Sequence, residues 1–249
     1  MLFRSDPLEA LLCAADHHRV NVFVGNGFWG QWDSPGIIAD RAARARRLQA
    51  MEELAQRYGH HASFYGWYWA NEAGINGHFS EAFIDYAREC SRCARALMPD
   101  APTMIAPYGT NKVQADDTYV RQLEALEVDI VAYQDEIGVQ KSTVEQTPGY
   151  YEALRRVHDK VPQVALWADV EIFEFEGAVY KSPLLPAPFA RVRRQLDAVS
   201  PYVDEILVYQ TLGMVNAPDS PAFAGHKDSS KLYAEYAGWL QRHHPDRLR

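Results

Sequence analysis

Apolar residues fall in short runs, each closed by glycine or polar residues and each followed by a stretch with helical spacing. The runs are Val20–Val24, Ser63–Trp69, Thr103–Tyr108, Val128–Tyr133, Val164–Val170 and Asp204–Tyr209. They are rich in Val, Ile and aromatic residues, lack clean alternation, and read as strands buried on both faces. Between them, apolar positions recur at three- and four-residue intervals over Pro7–Arg19, Ile37–Tyr58, Ser80–Leu97, Asp117–Leu126, Pro148–Lys160, Phe189–Val199 and Ser229–Arg242, which predicts helices. Asp6 before Pro7 is a helix start signal.

This alternation of strand, polar loop and helix predicts a parallel α/β architecture. No strand leads into GxGxxG and no P-loop occurs, which disfavours a nucleotide-binding doubly wound sheet. A (β/α)8 TIM-type barrel remains, its active site built from loops at the strand ends. The chain supplies six strands and opens on a helix, as though entering a barrel two β/α units late. It is expected to be a single domain over residues 1–249.

Hydrophobic residues are 47% and charged residues 23% of the 249, and the net charge is −8. That acidic balance argues against a nucleic-acid partner and an anionic membrane surface. Aromatic residues are 12%, including 14 Tyr and 6 Trp. Flat rings near strand ends suit a carbohydrate partner, although rings also serve as core. Cys13, Cys90 and Cys93 form no disulfide framework, and Cys90-Ser-Arg-Cys93 lies in an amphipathic helix rather than a ligand set. No run is long enough to span a membrane and no signal peptide is visible, so the chain as written reads as cytoplasmic. A lost start would make it periplasmic or secreted.

The chemistry collects where strands stop. Trp67-Tyr-Trp-Ala-Asn-Glu72 ends in an amide and an acid, Gln134-Asp135-Glu136 follows the fourth strand, Asp169 and Glu171 close the fifth, and Tyr209-Gln210 the last. Glycoside hydrolysis needs two carboxyl groups flanking one bond. Glu72 and Glu171 end strands separated by two others, so their loops are expected to face each other across a barrel mouth. Asn71, Gln134, Asp135, Trp69, Trp167 and Tyr209 are the candidate substrate contacts, and the Gly- and Trp-rich loop Gly25–Asp33 is a further rim element. Of the nine His, none stands in HExxH, and only His78 and His226 follow strands; no metal or other cofactor is expected. No GxSxG elbow supports Ser/His/Asp hydrolysis. The rival readings are a non-catalytic carbohydrate-binding barrel and a metal-dependent hydrolase or lyase.

Gly66-Trp-Tyr-Trp-Ala-Asn-Glu72, Val131-Ala-Tyr-Gln-Asp-Glu-Ile-Gly138 and Leu166-Trp-Ala-Asp-Val-Glu-Ile-Phe173 resemble, in order, motifs of the glycosidase-like barrel family catalogued as domain of unknown function 4434. Asp6–Asp16 with Val22-Phe-Val-Gly25 is similar to that family's third strand and the helix before it. The family is similar to the clan A retaining glycosidases, where Asn-Glu ends strand four and Glu ends strand seven. The resemblance implies that Glu72 is the acid/base and Glu171 the nucleophile of a retaining glycoside hydrolase. Asp135 would contact substrate or tune Glu171. It also implies that two β/α units are missing, which exposes sheet edges. A short gene model, a partner, second copy or rearranged packing covering the edge, or lost activity would each account for that.

Overall fold

The computed structural model describes residues 6–29, 36–72 and 74–243. The elements run α1 (Pro7–His18), β1 (Val22–Gly25), α2 (Arg41–Tyr58), β2 (Phe64–Tyr68), α3 (Glu81–Leu97), β3 (Thr103–Ile105), a 3-10 turn (Thr110–Lys112), α4 (Asp117–Leu126), β4 (Ile130–Gln134), α5 (Thr147–His158), β5 (Ala165–Glu171), β6 (Phe173–Phe175), β7 (Leu184–Pro186), α6 (Phe189–Val199), β8 (Glu205–Tyr209) and α7 (Ser229–His243). Six strands bond in the order β1-β2-β3-β4-β5-β8, and the pairs whose register is defined are parallel. Sequential parallel strands with a helix after each are the grammar of a (β/α) barrel, here with six strands. The fold class read from the sequence is the one found.

The sequence pattern misses the antiparallel hairpin β6–β7, where Phe173 faces Pro186 and Phe175 faces Leu184. The prolines around it read as loop. In a two-stranded hairpin Pro186 can sit where no ladder N–H is required, so proline does not forbid the strand. The second helix also begins later than expected. Asp40 caps it, its side chain accepting from Ala43 N, and residues 36–39 form a turn.

Backbone contacts divide the chain into two compact units. One comprises residues 1–107, 114–131 and 157–165; the other comprises 108–113, 132–156 and 166–249. In the first, β1, β2, β3 and the start of β4 pack under α1 to α4, with Leu12, Met51, Trp67, Trp69, Leu123 and Leu126 fully buried. In the second, β5 pairs with β8 from Trp167↔Glu205 to Glu171↔Tyr209, and Leu166, Ala168 and Val170 are buried.

Aspartates on the side of the sheet where strands begin tie neighbouring elements together. Asp129 Oδ2 accepts from Thr103 N and Oγ1 at 2.8 Å, Asp16 Oδ1 from Ser63 N at 2.7 Å, and Asp204 Oδ2 from Leu166 N at 2.8 Å. Charge-assisted bonds of this kind are about twice as strong as neutral ones. These acids are consumed by the scaffold.

Gly66 sits where β2 runs closest to its neighbours: a Cβ there would lie 2.5 Å from Pro102 O and 2.6 Å from the Phe23 ring. Gly149, in the first turn of α5, has open space around it. Gly66→Ala should therefore destabilise by about 1–3 kcal/mol, the range for overpacking. Gly149→Ala should be neutral or stabilise by up to about 1 kcal/mol. Urea unfolding of both variants checks this; equal effects would contradict the close approach at Gly66.

Candidate active site

The acids at the C-terminal strand ends fall into two groups, one in each unit. In the second unit, β4 gives way after Gln134 to Asp135 and Glu136, and β5 ends on Glu171. Asp135 is buried, and each of its oxygens is used. Oδ1 accepts from Glu171 N at 3.0 Å and Ile137 N at 3.3 Å, while Oδ2 accepts from Gln195 Nε2 of α6 at 2.7 Å. The same Gln195 nitrogen donates to Glu171 O at 3.0 Å. Asp135 thus fastens the end of β5 to the end of β4 and to a helix.

Glu171 itself is only 4% exposed. Its Oε2 accepts from Val139 N at 2.8 Å. The turn supplying that N–H can come so close because residue 138 is glycine: a Cβ there would lie 2.9 Å from Oε2 and from the Phe173 ring. Across the sheet Glu171 stands in register with Tyr209, which is 48% exposed with its ring edge-on to Phe173. The peptide after Tyr209 is cis. Trp167 and Asp169 share the Glu171 face by alternation and are half-buried.

Burial in low dielectric disfavours ionisation of both carboxyls. It pushes Asp135 up to about 6, with the bonds from Gln195, Glu171 N and Ile137 N holding it down in part. Glu171 rises to about 8, through its burial first and the Asp135 charge second, against the Val139 N–H. Near neutral pH the pair carries one proton, and it resides on Glu171.

Glu136 is buried too, in a left-handed conformation with φ 54°. Its Oε2 accepts from Gly109 N at 2.9 Å, and Oε1 lies 3.3 Å from Lys141 Nζ. That ammonium lies 5.0 Å from the Tyr108 ring centre and 6.0 Å from that of Tyr180. The sequence pattern singles out Asp135 as a substrate contact but not Glu136, and nothing in it marks Val139, Lys141 or Arg191. Arg191, half-buried, donates to the carbonyls of Glu171 and Phe173. Gln195 carried a signal: it lies on the stripe Val192, Leu196, Val199, where a polar residue has to find partners inside.

In the first unit, Asn71 and Glu72 follow β2. Asn26, wholly buried at the end of β1, holds this strand end by accepting from Ala70 N at 3.3 Å, and donates to Tyr86 Oη and Cys90 Sγ, each at 3.4 Å. Tyr68 Oη donates to Glu72 Oε1 at 3.4 Å. Asn71 is buried with its Oδ1 unbonded among the described residues. Trp69 is wholly buried, and its Nε1 donates to Ser91 Oγ of α3 at 3.2 Å. As a core ring it offers a sugar no face, because positions 67 and 69 both point to the helix side. Arg47 of α2 is wholly buried as well. Its guanidinium lies 4.5 Å from the Tyr86 ring centre, with no hydrogen-bond partner among the described residues. Residues 30–33 of the expected rim loop, like residues 34, 35 and 73, lie outside the described residues.

His78 bonds Asp116 at 3.0 Å and His226 lies 3.5 Å from Asp228, so each is paired with one acid. Among the described residues no helix is long and apolar enough to cross a membrane.

A family model described as "Domain of unknown function (DUF4434)" matches residues 2–222. No curated protein matches the chain by sequence. Several solved structures share its fold. A candidate α-L-fucosidase from Bacteroides thetaiotaomicron superposes with a TM-score of 0.76 at 16% identity, over 97% of this chain and 74% of that one. The β-D-glucuronidase of Dictyoglomus thermophilum gives 0.59 at 15%, over 92% and 42%. The endo-β-1,4-mannanase of Thermotoga petrophila gives 0.60 at 14%, over 94% and 61%. This chain spans less than two thirds of the last two.

The Glu171 proton has a consequence for stability. Unfolded, the side chain titrates near its ordinary 4.5; folded, near 8. Between those values the folded chain holds a proton that the unfolded chain has released, so stability falls as pH rises through the window. The fall is at most about 1.4 kcal/mol per pH unit. Glu171→Gln removes it. Its stability relative to wild type should grow between pH 6 and 8, above the Asp135 window, in urea titrations. A difference that stays level or shrinks would contradict the raised value.

Proposed function

We propose that this chain, which belongs to the DUF4434 family, is a retaining glycoside hydrolase acting on O-glycosidic bonds of an oligo- or polysaccharide. The observation that carries this reading is the Glu171 carboxyl, buried at the C-terminal end of β5 and held by Val139 N and Asp135, in a fold shared with glycosidases. Perturbed carboxyls at such strand ends are the groups that acid–base and nucleophilic chemistry employ.

In this mechanism Glu72 protonates the leaving oxygen as Glu171 attacks the anomeric carbon. Water then resolves the glycosyl-enzyme with Glu72 as base. Tyr68, bonded to Glu72, orients its carboxyl. Asp135 fixes the Glu171 backbone and, through its charge, adds to the burial that raises the pH at which Glu171 loses its proton. Asn71, Gln134, Trp167 and Tyr209 contact the sugar, and Trp69 supports the strand from behind. Attack requires ionised Glu171, so kcat/KM should climb through neutral pH toward about 8 rather than level off near 5.

Specific features also favour a second reading, a non-catalytic carbohydrate-binding barrel. Glu171 is nearly inaccessible, protonated at neutral pH, and already bonded at Oε2. The two readings separate on a panel of aryl glycosides and polysaccharides. For the enzyme, Glu72→Gln and Glu171→Gln should each lower kcat by about 10²-fold or more, and the first product should keep its anomeric configuration. Full turnover in either variant removes that residue's role. Sugar binding without turnover in wild type, surviving Glu72→Gln, supports the binding module.

A further inference from the structure

One group of metal-ligating side chains has no part in that chemistry. Glu9 of α1 and His60 and His61, in the turn between α2 and β2, bring a carboxylate oxygen and two imidazole nitrogens within 4.8 Å of one another. His61 Nε2 lies 3.3 Å from Glu9 Oε2. That is the edge of a tetrahedron with centre-to-corner bonds of about 2.0 Å, the Zn–N and Zn–O length. Both of these groups are held from behind. His61 is buried, with Nδ1 2.7 Å from Asp16 Oδ2, and Cys13 Sγ donates to Glu9 Oε1 at 3.5 Å. A carboxylate behind an imidazole fixes its tautomer and aims the free nitrogen outward, as it does in zinc sites. Asp16 is itself anchored, its Oδ1 taking Ser63 N. His60 is exposed beside His61, ring centres 4.2 Å apart, and gives an ion a way in from solvent.

We propose that Glu9, His60 and His61 form a zinc site, with Asp16 orienting His61 and water completing the coordination. Two imidazoles and one carboxylate are a donor set for zinc rather than for calcium or magnesium, which favour oxygen ligands. The ion replaces the Glu9–His61 hydrogen bond by two metal bonds and adds His60 to the cluster. The site lies before β2 begins, whereas Glu72 follows its end. Five strand residues, roughly 16 Å at 3.3 Å each, intervene. The zinc is therefore a clamp fastening α1 to the entry of β2. It binds the folded chain and stabilises it by mass action.

Little in the sequence marks this cluster, because His60-His61 follows a predicted helix and Glu9 lies far earlier in the chain. The test uses untagged full-length protein stripped with a chelator, titrated with zinc chloride by calorimetry and followed by thermal unfolding. Wild type should take up one equivalent saturably, and its Tm should rise with zinc. His60→Ala alters an exposed side chain and should keep the metal-free Tm. It should weaken binding roughly 10-fold or more and abolish the zinc-dependent rise. Glu9→Gln should do the same, and a His17→Ala, His18→Ala double variant should change neither. The proposal is overturned if wild type shows no saturable uptake, if His60→Ala binds like wild type, or if uptake is lost only in the double variant.

Discussion

Asp135 is a carboxylate removed from water, and the arrangement around Glu171 depends on how its charge is accommodated. Burying such an ion costs several kcal/mol unless hydrogen bonds replace the lost solvent. Here two backbone N–H groups and the Gln195 amide do so. Because those donors come from the turn after β4, the end of β5 and helix α6, satisfying one charge aligns three elements. Glu171 is held protonated by its own burial first and by this neighbouring charge second. Scaffold and chemistry share one electrostatic constraint.

The strand end carrying Glu72 is secured differently. Asn26 is neutral, and through its amide it ties Ala70 N to Tyr86 and Cys90 without placing a charge in the interior. The charge nearby belongs to Arg47, which meets the face of Tyr86 and no carboxylate among the described residues. Cation–π attraction when desolvated is worth about 2 kcal/mol, less than the cost of burying a guanidinium.

Much of this architecture was legible in the sequence because β/α units write themselves as apolar runs closed by polar punctuation. All six strands lie where those runs do, and the acids at their ends could be named. Three features were hidden, each for a physical reason. Trp67 and Trp69 had to share a face, but nothing local says whether it meets helices or solvent. Gln195 and Arg47 sit on otherwise apolar stripes, and periodicity treats such residues as interruptions when they are the interior's polar connections. The hairpin β6–β7 was masked by prolines that are compatible with an edge. The division of labour among acids was hidden as well, since Asp129 and Asp204 resemble Asp135 in sequence but serve at the opposite strand ends.

Lys141 has a bearing on how this surface can change through evolution. Its ammonium is held by Glu136 and lies near the rings of Tyr108 and Tyr180. Those residues come from the segments after β3, after β4 and within the β6–β7 hairpin. Loops of a β/α protein ordinarily diversify one at a time, which lets one scaffold acquire new specificities piecemeal. Here three are coupled through a single cation, so a substitution in one alters the setting of the other two. Relatives should inherit Tyr108, Lys141 and Tyr180 as a set, or replace them as a set.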